Sequence, residues 1–516
     1  MTLVLAGAGK NIKSVAGNNT TSFDNRMLKP FQYLLAVFSS ALLALAFPKT
    51  EFWILAWVGL VPLFFSLDGK NIKQSFHIAY VAGLVFFSLC FYWIYHVTFL
   101  GLALLVFYFA LYFGLFGLAY YFSYREKPLR KLFFLPSVWV VLEFFRAHLF
   151  SGFSWASLGL SQYKILPVIQ IADLTGVYGI SFLIVMGNVC LKEFLSTSQK
   201  MKIFFAVLLT VFCLGLTLGY GQFRLKNKII ATGEMNISII QPSIKMADRW
   251  QESLWKDIIE EHFNLSRKAV LQKTDLVIWP ESSLPGIFSQ KLWLFHQLAN
   301  FVRDAKTPFL IGAVTHLKDE FYFNSALLFS SDGEVMRQYD KWHLVPYGEY
   351  IPFRKYFPFL KYIVPIDDFT SGRELTIFSL GALKFSVLIC FEDSVAYLSR
   401  EFIKHGAQAL VNITNDDWFK KSSALFMHVQ SSVFRAVENR KSVIRVANTG
   451  VSCFINPWGK IVKKVQNKQG QSLYVKDIAT DAVVFNSIQT FYTKFGDVFA
   501  FVCFLCILIG IIIKKN

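Results

Sequence analysis

The stretch Val387-Leu388-Ile389-Cys390-Phe391-Glu392-Asp393 ends an apolar run on a thiol followed by two carboxylates. It reads as strand, nucleophile, helix, and a cysteine near a helix start is favoured as the reactive thiolate. The same cysteine reads equally well as a buried structural residue. Two further polar residues stand beside the ends of predicted strands: Glu281 after Trp279-Pro280, and Lys341 after Tyr339-Asp340. Active sites of α/β domains gather at such strand ends. A thiol needs a base, and a partly desolvated carboxylate beside Pro280 suits that task. An ammonium would lower the thiol pKa and, with the backbone N–H following the nucleophile, stabilise a tetrahedral oxyanion. Taken singly, the three are also readable as a capping Glu, a solvated Lys and a core Cys.

The elements that must position them lie between about residues 230 and 485, where short apolar runs alternate with amphipathic ones. Strands are predicted over 236–241, 276–279, 309–314, 324–329, 335–341, 385–390 and 409–414, helices over 250–272, 394–404 and 424–440, and a final hairpin over 443–463. The segment 342–369, rich in aromatics and proline, suits an amphipathic arm resting on a lipid surface, with an ordinary packed loop as the alternative.

The rest of the chain belongs to a membrane. Of 516 residues, 54% are hydrophobic and only 17% charged, with 55 Phe, whereas soluble domains carry nearer a quarter charged residues. The net charge of +18 falls in short loops between apolar runs, which speaks for membrane topology and against nucleic acid. A basic tail, 1–30, precedes apolar runs at 31–47, 52–67, 75–97, 100–123, 132–150, 177–195 and 201–221, and an eighth lies at 498–513. Ala44-Leu45-Ala46 has the form of a leader cleavage site, but a second apolar run follows at once and retention is expected. Basic loops at Lys70 and Lys73, at Arg125 to Lys131 and at Lys192 to Lys202 mark the cytoplasmic side, which puts both termini inside and 230–485 outside. Glu143 and Arg146 share one face of a membrane helix, as a satisfied pair or as a headgroup contact. Of seven cysteines only Cys390 and Cys453 lie in the polar part, and a bridge between them would remove the nucleophile. No spacing suggests a metal or a phosphate loop, and no cofactor is expected.

Trp279-Pro280-Glu281-Ser282, the run Tyr339 to Tyr350 with its Lys341 and Glu349, and Ile389-Cys390-Phe391-Glu392 resemble the Glu, Lys and Cys blocks of the nitrilase superfamily. Asn415-Asp416-Asp417-Trp418-Phe419, Arg435 to Arg440 and Ala447-Asn448-Thr449-Gly450 extend the likeness. With seven spans before and one after, the chain is similar to the apolipoprotein N-acyltransferase family of Gram-negative bacteria. Glu143, Arg146 and Gly152-Phe153-Ser154-Trp155 match that family's patterns.

The resemblance implies a membrane α-helical bundle of about eight transmembrane helices plus an α/β nitrilase-like α-β-β-α sandwich. It implies an inner-membrane location with the sandwich in the periplasm, and a monomer working on lipid substrates in the bilayer. An acyl chain would pass from a phospholipid, typically phosphatidylethanolamine, through a Cys390 thioester to the amine of a diacylglyceryl apolipoprotein. Glu281 would be the base, Lys341 the oxyanion residue, Glu349 its holder and Glu392 a pocket wall. Trp250, Phe391, Trp418 and Phe419 would contact lipid or position loops. Phe391 replaces a frequent Tyr, and Asp417-Trp418-Phe419-Lys420 a commoner Ala-Trp-Phe-Gly. A membrane-anchored hydrolase and a transporter with an outside binding domain are the competing readings.

Overall fold

The computed structural model describes residues 21–196, 200–317, 321–352, 354, 356 and 368–515. Apolar helices come first: α1 (Thr21–Leu45), α2 (Ile72–Phe91), α3 (Phe99–Ser123), α4 (Pro128–His148), α5 (Val177–Ser196) and α6 (Lys200–Lys226). Local chemistry sets their starts. Asn71 closes a capping box with Gln74 at α2, and the Thr98 hydroxyl accepts from the Gly101 N–H at α3. Helices α2 and α3 pack closely through small residues; a Cβ on Gly117 would lie 2.4 Å from the Ser75 carbonyl oxygen.

Among the described residues four helices are long and apolar enough to cross a membrane: Ile72–His96, Phe99–Ser123, Val177–Ser196 and Ile203–Lys226. The run expected as one span at 52–67 is instead a 3₁₀ turn, Trp53–Trp57, and a short helix, Val61–Leu67, with Pro62 in its first turn. Proline has no N–H to continue a helix through that point. Helix α4 has spanning length but carries Lys131, Glu143 and Arg146, all buried.

The second half is a sandwich. The first sheet orders its strands β12-β1-β2-β3-β4-β5, where β1 is Gly233–Gln241, β2 Leu276–Ile278, β3 Phe309–Leu317, β4 Phe321–Phe329, β5 Val335–Asp340 and β12 Asp477–Phe485. The second orders β11-β10-β9-β8-β7-β6, from β6 (Phe378–Leu380), β7 (Leu383–Ile389), β8 (Ala409–Thr414), β9 (Ser442–Ala447), β10 (Cys453–Ile455) and β11 (Ile461–Lys464). The hairpin expected over 443–463 is thus three strands, and β12, unforeseen, pairs antiparallel with β1 along nine residues. Strands β1, β2 and β3 run parallel and β4 reverses, so β5 points the same way as β2. The ends of β2 and β5 therefore meet at one edge of the sandwich, where β7 and β8, also parallel, end opposite them.

Helices α7 (Trp255–Val270) and α8 (Leu292–Ala305) cover the outer face of the first sheet, with Ile259, Phe263, Leu294 and Leu298 packed on Val277, Phe309 and Ile311. Helix α7 starts five residues later than expected because two 3₁₀ turns occupy 246–254, and α8 was not foreseen. Helices α9 (Ala396–Lys404) and α10 (Ala424–Asn439) cover the second sheet. Nearly every residue of α10 is buried, because its far side packs on the apolar helices. One apolar cluster runs from Leu43 and Phe86 in the helical part through Val433 on α10 to Val411 in the sheet. The closing helix α11 (Val498–Lys515) returns to pack on α4.

Candidate active site

Glu281 follows β2, Lys341 follows β5 and Cys390 follows β7, so the convergence of strand ends brings together the three residues singled out by type. The turns that present Glu281 and Cys390 each carry a left-handed residue, Ser282 with φ 47° and Cys390 with φ 55°, a conformation held only where surrounding contacts enforce it. Cys390 does not sit on a helix N-terminus: a 3₁₀ turn, Cys390–Ser394, intervenes before α9. Gly312 on β3 is required by Glu281, since a Cβ there would lie 2.4 Å from the Pro280 carbonyl and 2.7 Å from Glu281 Cα.

A buried hydrogen-bond relay ties the groups. Glu349 Oε2 accepts from Lys341 Nζ at 2.7 Å and from the Val345 N–H at 2.9 Å. Asn324 on β4 donates through Nδ2 to both Glu281 Oε1 (2.7 Å) and Glu349 Oε1 (3.0 Å), and the Asn415 N–H donates to Glu281 Oε2 at 2.6 Å. Glu392, fully buried, accepts from the Tyr339 hydroxyl (2.8 Å) and from the N–H groups of Trp342 (2.8 Å), His343 (2.9 Å) and Ile389 (2.7 Å). Through it the end of β5 is bound to the end of β7, which fixes Lys341 relative to Cys390. Glu392 is therefore a tie between the two sheets.

The electrostatics follow from three carboxyls, the Lys341 ammonium and the buried Arg249 guanidinium, whose Nη1 donates to the Glu281 carbonyl at 3.2 Å. Burial pushes Glu281 above the usual carboxylate range; Lys341 opposes that shift and Glu349 adds to it. Burial also raises Glu392, to about 7, against the pull of Lys341. Burial alone would lower Lys341, 1% exposed, but Glu349, Cys390 and Glu281 hold it above the usual lysine value. Burial and the Glu281 carboxylate lift the Cys390 thiol well above its ordinary pKa, with Lys341 in opposition. The site thus holds a thiol raised above its ordinary pKa beside a carboxyl of raised basicity. That is the resting state of a base-assisted nucleophile.

Phe391 packs on Phe153 and Trp155 at ring distances of 5.7 and 6.0 Å, and Phe419 on Trp93 at 4.8 Å. Aromatics from the apolar half thus wall the thiol. Trp250 and Trp418 are 63% and 49% exposed. Asp417, where the resemblance leads one to expect alanine, is buried and accepts from the Met246 N–H at 2.8 Å, anchoring the turn that presents Trp250. Lys420 has φ 49° and ψ −160°, a conformation suited to the commoner glycine.

Glu143 and Arg146 are buried and bond elsewhere than to each other. Arg146 donates to the carbonyls of Phe153 (3.1 Å) and Trp155 (2.6 Å) and to Ser157 Oγ (3.0 Å), while Glu143 accepts from Trp139 Nε1 and the Leu158 N–H, both at 2.8 Å. They hold the loop whose Ser154 and Trp155 donate to the Ser394 carbonyl (2.9 Å) and Ser394 Oγ (2.6 Å), beyond the nucleophile. Cys390 and Cys453 are both free. Of the segment 342–369, residues 353, 355 and 357–367 lie outside the described residues.

Type and spacing did not reveal Asn324, Asn412, Thr414, Asp416, His428 and Arg445 as part of the site. Asn324 bridges base and clamp as described, and the others lie behind Cys390. Two signals were available: a second acid, Asp393, beside the first, and a histidine in a helix that carries Ser431, Ser432 and Arg435 on the same face.

Residues 39–190 match the family model described as Apolipoprotein N-acyltransferase N-terminal domain, and residues 236–485 the one described as Carbon-nitrogen hydrolase. The apolipoprotein N-acyltransferase of Geobacter metallireducens is 37% identical over 493 residues, covering 91% of this chain and 93% of its own. Those of Pasteurella multocida and Borreliella burgdorferi are each 28% identical, over 91% and 92% of this chain and 92% and 94% of their own. With a nitrilase-like pair of sheets, a buried Glu, Lys and Cys at one edge and a full-length relative above 30% identity, the chain belongs to the apolipoprotein N-acyltransferase family.

Proposed function

We propose that this membrane enzyme moves a fatty acyl chain from a phospholipid, phosphatidylethanolamine in the simplest case, to the N-terminal amine of a diacylglyceryl-cysteine lipoprotein. The observation that carries the reading is the convergence of Glu281, Lys341 and Cys390 behind a wall of aromatics supplied by the apolar half. In the first half-reaction Glu281 takes the Sγ proton as sulfur attacks the ester carbonyl. The oxyanion is met by Lys341 Nζ and the Phe391 N–H. The ester C–O bond breaks, Glu281 returns the proton to the departing alkoxide, and a lysophospholipid leaves a thioester on Cys390. In the second, the amine nitrogen attacks the thioester carbon and gives a proton to Glu281. The C–S bond breaks, the thiolate regains the proton and the product is an amide.

Membrane placement follows from the same reading. In this reading the broken segment Trp53–Leu67 crosses as a 3₁₀ turn followed by a short helix, so that the polar tail 1–30, seven crossings within 31–222 and one at 498–513 put both termini in the cytoplasm of a bacterial inner membrane and the catalytic domain, 230–485, in the periplasm. The basic loops at Lys70, Arg125 to Lys131 and Lys192 support that orientation. Both substrates then reach the thiol laterally from the bilayer, and Trp250, Trp418 and Phe419 line the way in. A monomer contains every group the chemistry needs.

The test is to incubate the protein with phospholipid labelled in its acyl chain, look for a hydroxylamine-labile label on Cys390, then add a diacylglyceryl peptide. The label is expected on Cys390 and then on the peptide amine. Loss of label to water at the same rate with and without peptide would make the protein a hydrolase, and no label on Cys390 would remove the thioester altogether.

A further inference from the structure

Behind Cys390 lies a closed group of four charges, two of each sign. His428 on α10 stands between Asp393 and Asp416, with Nε2 3.0 Å from Asp393 Oδ1 and Nδ1 3.0 Å from Asp416 Oδ1. Arg445 on β9 closes the group, 3.3 Å from Asp393 Oδ2 and 2.9 Å from Asp416 Oδ2. All four are buried to 1% exposure or less. Four ions this dry are tolerable only when each is paired.

This group reaches Cys390 by two routes. His428 Nε2 lies 3.2 Å from the Cys390 carbonyl oxygen. Asn412 Nδ2 donates to the same oxygen at 3.0 Å, and its own Oδ1 is held by Arg445 at 2.5 Å. Thr414, at the end of β8 beside Cys390, donates its hydroxyl to Asp416 at 2.9 Å. Two donors therefore hold the carbonyl of a residue whose own backbone is in the unfavourable left-handed region. In a trans peptide the C=O and the following N–H point in opposite directions. Fixing the Cys390 carbonyl toward His428 and Asn412 thus fixes the Phe391 N–H in the opposite direction, away from the charged group.

We propose that His428 is a positioning residue: by holding the Cys390 carbonyl it aims the Phe391 N–H at the site of the developing oxyanion. The inference rests on the reading of Cys390 as nucleophile. It assigns the charged group the geometry of acyl transfer, leaving proton removal from the thiol to Glu281. Chemistry at the sulfur that develops no oxyanion is then largely insensitive to His428.

That separation gives the test, carried out on the full-length protein in phospholipid-containing micelles. His428→Asn keeps a group near Asp416 but withdraws the one facing the carbonyl, whereas His428→Gln restores a donor at about the position of Nε2. In His428→Asn, acylation of Cys390 by labelled phospholipid is expected to slow about tenfold to a hundredfold, within the range seen when an oxyanion donor is lost. Alkylation of Cys390 by iodoacetamide, which develops no oxyanion, is expected to stay within about threefold, and His428→Gln to recover much of the acylation rate. If His428→Asn does not fold, judged by its thermal transition, Asn412→Ser removes the other donor to the same oxygen and is expected to show the same split. Acylation at the wild-type rate in the folded variant overturns the proposal, as does a parallel loss of acylation and alkylation, which marks a structural role only. Absence of label on Cys390 in the wild-type protein is a separate failure, of the nucleophile assignment itself.

Discussion

Cys390 has two charged neighbourhoods, and they are built on opposite terms. In front stand Glu281, Glu349 and Glu392 against Lys341 and the Arg249 guanidinium, which donates to the Glu281 carbonyl, an excess of one negative charge; behind stand Asp393 and Asp416 against His428 and Arg445, two against two. Both are dry, so the difference lies in balance. Uncompensated burial in front lifts Glu281 and Glu392. Behind, burial alone would raise Asp416, but Arg445 and His428 overcome it and hold its carboxyl at about 2. Burial and Arg445 alone would lower His428, but Asp393 and Asp416 hold it at about 9. A charge excess leaves groups ready to exchange protons, and a balanced set locks them. In the proposed reading, one side of the cysteine serves the chemistry and the other the geometry.

The contrast breaks first if the front residues are dispensable. Cys390→Ala is expected to abolish transfer, and Glu281→Gln to slow thioester formation about 10²–10⁴-fold, the range of a lost general base, as read by single-turnover labelling. Removing one charge from behind is expected to act on stability. Asp416→Asn leaves Arg445 and His428 facing one carboxylate and costs about 3–5 kcal/mol, measured by denaturation in detergent, with no displacement of the acid limb of the rate profile. Lys341→Met is expected to cost about 10²–10³ in rate. Because the ammonium lowers Glu281, its removal moves the acid limb to higher pH; Glu349, which raises Glu281, gives the opposite displacement in Glu349→Gln. A common displacement in both variants would end the electrostatic account.

Stability against pH sharpens the locked side. The folded-state pKa of Asp416 is depressed, so its contribution is complete above its ordinary 3.8 and lost as pH falls toward about 2. His428 is raised, so its contribution is complete below its ordinary 6.5 and lost as pH rises through about 9. The stability gap between wild type and His428→Gln is expected to narrow across that upper window. The smallest effect belongs to Trp155→Phe, which keeps the aromatic wall and loses the bond to Ser394, for about 1 kcal/mol and a few-fold in rate.

Glu281 and Cys390 were legible because each follows a short apolar run, and Lys341 because it follows the second strand of a hairpin marked by its Ser331-Asp332-Gly333 turn; a strand end is a one-dimensional signal. The strands themselves were readable for the same reason, most of them to within a few residues. Strand β12 was not, since its alternation of buried and half-exposed positions breaks across Asp477 to Asp481, and its partner lies over two hundred residues away. The support behind the thiol was hidden for a related reason. Asp416, His428 and Arg445 come from a turn, a helix and a strand, each with an innocuous local reading, and only the packing of α10 onto β8 and β9 makes them one object. Glu143 and Arg146 mislead in the other direction. Their spacing puts them on one face, but each bonds the 150–158 loop and not the other.

Helix α10 has a consequence for modularity. One of its sides meets the sheet beneath the nucleophile and the other meets apolar helices, while Arg440 at its end is bound to Asp173 at 2.8 Å. The change of texture near residue 230 therefore marks where the solvent changes and not where a separable part begins. A nitrilase-like half freed from the bilayer half would surrender the loop that grips Ser394 and bare the helix that carries His428. The setting of Cys390 is thus made by both halves of the chain.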